Sequence, residues 1–150
     1  MLVKVAGFEK CSVVDGPGLR YTVFFQGCSH GCEGCHNPQT HDFHEGKETT
    51  TEDILQNVLE IPGITGVTIS GGDPFFQYDA LLDLCTLLRN RTNLNIWVYT
   101  GYTENEVEAH FGKIWPLVDA LVVGPYIQAE RTLSLPFVGS KNQKIIYLKR

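Results

Sequence analysis

Short apolar runs and longer amphipathic ones alternate along these 150 residues, and that alternation predicts the elements of the fold. Five runs rich in Val, Ile, Phe and Tyr read as strands: residues 20–26, 66–70, 95–100, 120–123 and 144–148. Residues 51–60 place Ile54, Leu55, Val58 and Leu59 on one face of a 3.6-residue period, and residues 78–91 do the same with Leu81, Leu82, Cys85 and Leu88. A third helix is predicted from Thr103, which has capping-box spacing with Glu106. Strands alternating with helices predict an α/β fold whose mostly parallel sheet is joined by right-handed crossovers. A complete eight-stranded barrel takes at least about 200 residues, which leaves a small partial (β/α) barrel or an open, mostly parallel sheet. Either one binds ligands at the carboxyl ends of its strands, so the segments after the first two predicted strands should share a pocket.

No repeat, low-complexity stretch or linker divides the chain, so residues 1–150 are expected to form one domain. With 43% apolar residues, it has the composition of an ordinary globular domain. A domain of this length buries roughly 70% of the surface its unfolded chain exposes and has no need of disulfides, so its five cysteines call for another use. The formal charge of −5 argues against a broad phosphate-binding surface, hence against nucleic acid as a partner. No apolar run follows a basic start at residues 1–10, and none approaches the roughly 20 residues of a membrane span. A cytoplasmic protein without a membrane partner is therefore expected. In that reducing compartment clustered cysteines serve as ligands or catalysts.

The cluster is Gly27-Cys28-Ser29-His30-Gly31-Cys32-Glu33-Gly34-Cys35-His36-Asn37-Pro38, with three thiols interleaved with glycines. A loop must curl tightly to aim three sulfurs at one point, and glycine permits the positive φ values that such curling uses. Thiolates suit both iron–sulfur clusters and zinc, and spacing alone does not separate the two. Zinc would take a fourth ligand from His30, His36, His41 or His44. In a four-iron cubane, three cysteines leave one iron open to a substrate. Cys85, on a leucine-rich helix face, reads as a core residue, and Cys11 is uncommitted.

A Cys-x-x-x-Cys-x-x-Cys run after a first strand resembles the signature of the radical S-adenosylmethionine superfamily. Ser70-Gly71-Gly72-Asp73-Pro74, after the second predicted strand, resembles that superfamily's glycine-glycine-acid motif. Asp15-Gly16-Pro17-Gly18-Leu19-Arg20 and Cys35-His36-Asn37-Pro38 look like the activating enzymes of glycyl-radical proteins. Gly124-Pro125-Tyr126 and Gly139-Ser140-Lys141-Asn142-Gln143 resemble the branch acting on the anaerobic ribonucleoside-triphosphate reductase. The resemblance implies that Cys28, Cys32 and Cys35 hold a four-iron four-sulfur cluster, and that Gly34, Cys35, His36, Gly71, Gly72 and Asp73 contact S-adenosylmethionine. Two departures stand out: Gly34 occupies a position where many members carry an aromatic ring, which His36 would then supply, and Asp73 replaces the commoner glutamate.

The implied reaction is reductive cleavage of the cofactor to methionine and a 5′-deoxyadenosyl radical, which takes a hydrogen atom from a glycine of the reductase. An electron donor such as flavodoxin or ferredoxin is implied as a second partner. The alternatives are activation of pyruvate formate-lyase or another glycyl-radical enzyme, a radical enzyme acting on a small molecule, and, in a different class, a zinc-stabilised interaction module.

Overall fold

A computed structural model of the chain describes residues 1–28, 30 and 41–148. In chain order, its elements are β1 (Leu2–Ser12), β2 (Arg20–Phe25), β3 (Lys47–Thr50), α1 (Thr51–Leu59), β4 (Gly66–Gly71), α2 (Tyr78–Arg91), β5 (Asn95–Tyr99), α3 (Glu104–His110), β6 (Ala120–Val123) and β7 (Lys144–Tyr147). The strands form one open sheet in the order β3-β1-β2-β4-β5-β6-β7. The fold is thus α/β, with a parallel centre of β2, β4, β5 and β6. The flanking strands β1, β3 and β7 pair antiparallel. For β7 the reason is local: residues 124–143 contain no α-helix to carry the chain back across the sheet, so the strand returns alongside β6 in the opposite direction.

All five predicted strands and all three predicted helices are present, while β1 and β3 add two that the pattern did not announce. In β1, Val3 and Val5 are buried in strict alternation, but irregularities follow at Val5/Gly7 and Glu9/Ser12, and residues 8–11 are exposed. Strand β3 is a polar edge of Lys47, Glu48, Thr49 and Thr50 that pairs only with β1. Polar edge strands resist further pairing and leave no hydrophobic pattern to read.

Strand alternation divides the interior between the two faces of the sheet. Ile96, Val98, Leu121 and Val123 point to the face covered by the helices, where they pack with Ile54, Leu55 and Val58 of α1, Leu81, Leu84 and Leu88 of α2, and Val107 of α3. Each such fully buried side chain stabilises the fold by about 1.5–3 kcal/mol. Trp97, Ala120 and Val122 point the other way into a smaller cluster, covered by Phe137 and Val138 of the loop after β6 rather than by a helix. The caps follow the sequence: the Thr50 hydroxyl accepts from the Asp53 N–H to start α1, and Thr103 and Glu106 form a complete capping box on α3.

Burial makes one consequence of this core dependent on pH. Tyr21 is 1% exposed, and its phenol is pushed up to about 12 from 10.0 by desolvation, with the Asn57 side chain acting in the opposite direction. Burial raises Tyr99 as well. A phenol whose folded pKa exceeds its unfolded value supports the fold fully below that unfolded value, near 10.0, and this support is lost as pH climbs toward about 12. Urea denaturation at a series of pH values should show stability falling through that window. Tyr21→Phe should flatten part of the fall, and an unchanged alkaline limb would contradict this assignment.

Candidate active site

The carboxyl ends of the four parallel strands open into a cavity of about 740 Å³, on the sheet face away from the helices. Its wall contains Cys28 after β2, Ser70, Gly71 and Gly72 at the end of β4, Tyr99, Thr100 and Gly101 at the end of β5, and Gly124 after β6. The two segments expected to share a pocket do so through Cys28 and Gly71-Gly72. The volume falls within the roughly 300–1,000 Å³ of small-molecule sites.

Cys28 is partly exposed on this wall. Its N–H donates to the His41 carbonyl at 3.2 Å, and the Gln26 side-chain amide donates to the Asp42 carbonyl at 2.8 Å. Residues 26 and 28, before Cys32 and Cys35, are thus hydrogen-bonded to residues 41 and 42 after them. Cys32, Gly34, Cys35 and His36 lie outside the described residues. The fit to an iron–sulfur cluster thus rests on a soft thiolate donor at a cavity wall, Cys28, with two further cysteines following within seven residues of sequence.

Gly71 shows why the second motif needs glycine. It adopts φ +120°, and a Cβ there would stand 2.2 Å from the Phe25 carbonyl oxygen and 2.4 Å from its amide nitrogen. Both are backbone atoms of β2, so no rotamer change relieves the contact. Gly72 donates its N–H to the same carbonyl at 2.9 Å, and Asp73 donates to the Gly27 carbonyl at 2.9 Å, which fastens this turn to the root of the cysteine loop. We expect Gly71→Ala to destabilise the protein by at least about 2 kcal/mol, read from chemical denaturation, because strain and steric contact add. A loss below about 0.5 kcal/mol would show that the turn can relax.

The structure gives Asp73 a different place from the one expected for a partner of the cofactor's ammonium group. The residue is 1% exposed, does not line the cavity and caps the 3₁₀ turn Pro74–Gln77. Its Oδ1 accepts from the Phe75 N–H at 2.9 Å. Its Oδ2 accepts from the Thr100 hydroxyl at 2.9 Å, the Gly101 N–H at 2.9 Å and His30 Nε2 at 2.5 Å. A buried carboxylate needs such partners, and these four leave little accepting capacity for a ligand. Gly71 and Gly72 are the members of the motif that face the cavity.

The remaining motifs sort by the same geometry. The Asp15 carboxylate accepts from Ser12 and Thr22, and its carbonyl accepts from Thr68, so the loop folds onto the sheet while Val13, Val14 and Asp15 reach the cavity rim. Arg20, buried beneath this loop, spends all five N–H donors on Thr68 Oγ1, Pro17 O, Val67 O, and the side-chain and backbone oxygens of Asn95. In the 139–143 segment, Gln143 Oε1 accepts from the Gly139 and Ser140 N–H groups while its amide donates to the Gly124 carbonyl. Asn142 donates to the Pro125 carbonyl. The segment is thus an internal clamp on the loop after β6, and Gly139 and Gln143 also border the cavity.

Tyr102 does not line the cavity and packs among Phe75, Phe111 and His30. His44 is exposed. Cys85 is a core thiol pushed up to about 12 by burial. Cys11 lies on the cavity wall, a position that the sequence did not indicate.

Comparison with known proteins places the chain in a family. A family model described as a 4Fe-4S single cluster domain matches residues 14–146. The anaerobic ribonucleoside-triphosphate reductase-activating protein of Escherichia coli strain K12 is 35% identical over 144 residues, covering 91% of this chain and 94% of that protein. The chain belongs to the radical S-adenosylmethionine family of glycyl-radical activating enzymes. Another member, the reductase-activating protein of Vibrio cholerae serotype O1, is 34% identical over 140 residues, covering 89% of this chain and 90% of its own. The pyruvate formate-lyase 1-activating enzyme of E. coli strain K12 is 42% identical over 85 residues, which span 53% of this chain but 35% of that enzyme. The fold is also that of QueE from E. coli, with a TM-score of 0.58 at 19% identity over 69% of this chain and 54% of that one.

Proposed function

We propose that this chain activates an anaerobic ribonucleoside-triphosphate reductase by installing a glycyl radical on it. The observation that carries the proposal is the shared cavity, in which Cys28 meets the Gly71-Gly72 turn at the ends of the parallel strands. When bound, a four-iron four-sulfur cluster supplies the electron that splits S-adenosylmethionine into methionine and a 5′-deoxyadenosyl radical, and that radical takes a hydrogen atom from a glycine of the reductase.

Every other task falls to the chain itself. Cys28, with Cys32 and Cys35, would hold the cluster and leave one iron open. The backbone of Gly71 and Gly72, free of side chains, lets a ligand approach closely at the wall. The wall also carries the apolar Phe24 and Phe137, which keep water from a reactive radical. The open side of the sheet admits a protein loop rather than only a metabolite.

Near full-length similarity to two reductase activators supports the reductase as partner. Activation of pyruvate formate-lyase is the second reading, favoured by the higher identity over the shorter match. In this proposal the single domain spans residues 1–150, works in the cytoplasm and draws its electron from a flavodoxin or ferredoxin. Among the described residues no helix is long and apolar enough to cross a membrane. Incubating the reconstituted, reduced protein and S-adenosylmethionine with each candidate partner and recording electron paramagnetic resonance spectra separates the readings. A glycyl-radical signal on the reductase is expected, and one on pyruvate formate-lyase alone would overturn the choice of partner.

A further inference from the structure

One carboxylate joins three segments of sequence that the cluster reading treats separately. Asp73 Oδ2 receives His30 from the cysteine loop, 43 residues away, together with Thr100 and Gly101 from the end of β5, 27 and 28 residues away. The His30 ring fills the space between Phe76 and Tyr102, with centroid distances of 5.2 and 4.7 Å. A Cβ on Gly101 would stand 2.7 Å from His30 Cδ2, so the missing side chain leaves room for the imidazole. His30 stands in sequence between Cys28 and Cys32. Its side chain is 17% exposed, whereas its acceptor is fully enclosed.

We propose that His30 is a positioning residue for the iron–sulfur loop, and that Asp73 serves the site as the buried anchor of His30. The inference rests on the reading of Cys28, Cys32 and Cys35 as cluster ligands. Asp73 is already fixed by the Phe75 N–H and by the end of β5, so its carboxylate offers a preorganised acceptor at a set distance from the cavity. His30 Nε2–H donates to it and thereby ties His30, which stands between Cys28 and Cys32 in sequence, to Asp73 and the end of β5. A site held by such supporting contacts keeps its ligands in place, and losing an outer-shell partner typically costs about 10–100-fold in metal affinity or activity. The shorter side chain of aspartate fits this role, because an added methylene would have to be accommodated in a fully enclosed position.

The test compares the parental protein with His30→Ala, His30→Gln and Gly101→Ala after anaerobic reconstitution. The readouts are the rate at which a chelator strips the iron, the electron paramagnetic resonance spectrum of the reduced cluster, and the melting temperature of the metal-free protein. His30→Ala should lose iron about tenfold faster and broaden the cluster spectrum, beyond a modest fall in the metal-free melting temperature from the partner that Asp73 loses. His30→Gln, whose amide can still donate to Asp73, should restore most of the protection. Gly101→Ala should reproduce the defect by crowding the imidazole. Iron loss and spectra unchanged in His30→Ala would overturn the proposal, as would iron loss in His30→Gln as fast as in His30→Ala. If the parental protein takes up no cluster, the reading of the cysteines fails and the proposal falls with it.

Discussion

Replacing Cys28 with alanine is expected to reduce reductive cleavage of S-adenosylmethionine by more than about 100-fold, beyond the 10–100-fold that removal of an outer-shell partner costs. Among the described residues, Cys28 is the proposed cluster ligand, and it stands on the cavity wall beside the Gly71-Gly72 turn, with its N–H bonded to the His41 carbonyl. Without its thiolate two cysteines remain, too few for a cubane with a single open iron. The purified variant should therefore be nearly colourless after reconstitution, with iron and sulfide contents far below the parent. Cys85→Ala is the contrasting substitution: its thiol is completely buried in the helical core, so iron content should be unaffected while stability drops by about 1 kcal/mol. Parental iron content and cleavage in Cys28→Ala would remove this residue from the ligand set.

The second large effect is on stability. Arg20→Met keeps the length and apolar stem of the side chain but removes a guanidinium whose donors satisfy five oxygen acceptors around Pro17, Val67, Thr68 and Asn95. Burial pulls the guanidinium down to about 10, so it still carries its charge at neutral pH, and it stacks 5.7 Å from the centre of the Trp97 ring. Gly16 and Gly66 pack directly against it, so the substitution leaves both a void and stranded acceptors. Buried groups left unsatisfied cost about 1–3 kcal/mol each, discounted for carbonyls that retain another partner, so a total on the order of 4 kcal/mol is expected. For a domain of this length that corresponds to a fall in Tm of roughly 10 °C. Arg20→Lys should recover only part of it, because an ammonium group cannot supply the planar fork. A Tm within about 2 °C of the parent would show that the loop needs no such pin.

What could be read directly from the sequence follows from the range of each signal. Periodicity is local, and it located α1, α2, α3 and the five regular strands within a residue or two. Strand β1 escaped because its alternation stops after Val5, and β3 because an edge strand of charged and hydroxyl residues has no apolar face. The cysteine spacing and the Gly-Gly turn were legible because each is a contiguous motif, and topology then brings Cys28 and Gly71 to one wall. Asp73 shows the opposite case. Its neighbours in sequence suggested a ligand contact, whereas the partners that hold its Oδ2 in the structure, His30, Thr100 and Gly101, lie far away along the chain. Arg20 is similar, since its hydrogen-bond acceptors come from a turn and two other strands. The 139–143 segment, which resembles a family motif, acts first as a clamp through Gln143 and Asn142.

The most direct test of the account is the chemistry at the cavity. The protein is reconstituted anaerobically with iron and sulfide, reduced, and given S-adenosylmethionine, and 5′-deoxyadenosine is quantified. The account predicts a brown protein that forms 5′-deoxyadenosine, and Cys28→Ala that forms essentially none. A colourless zinc protein yielding no 5′-deoxyadenosine would contradict it.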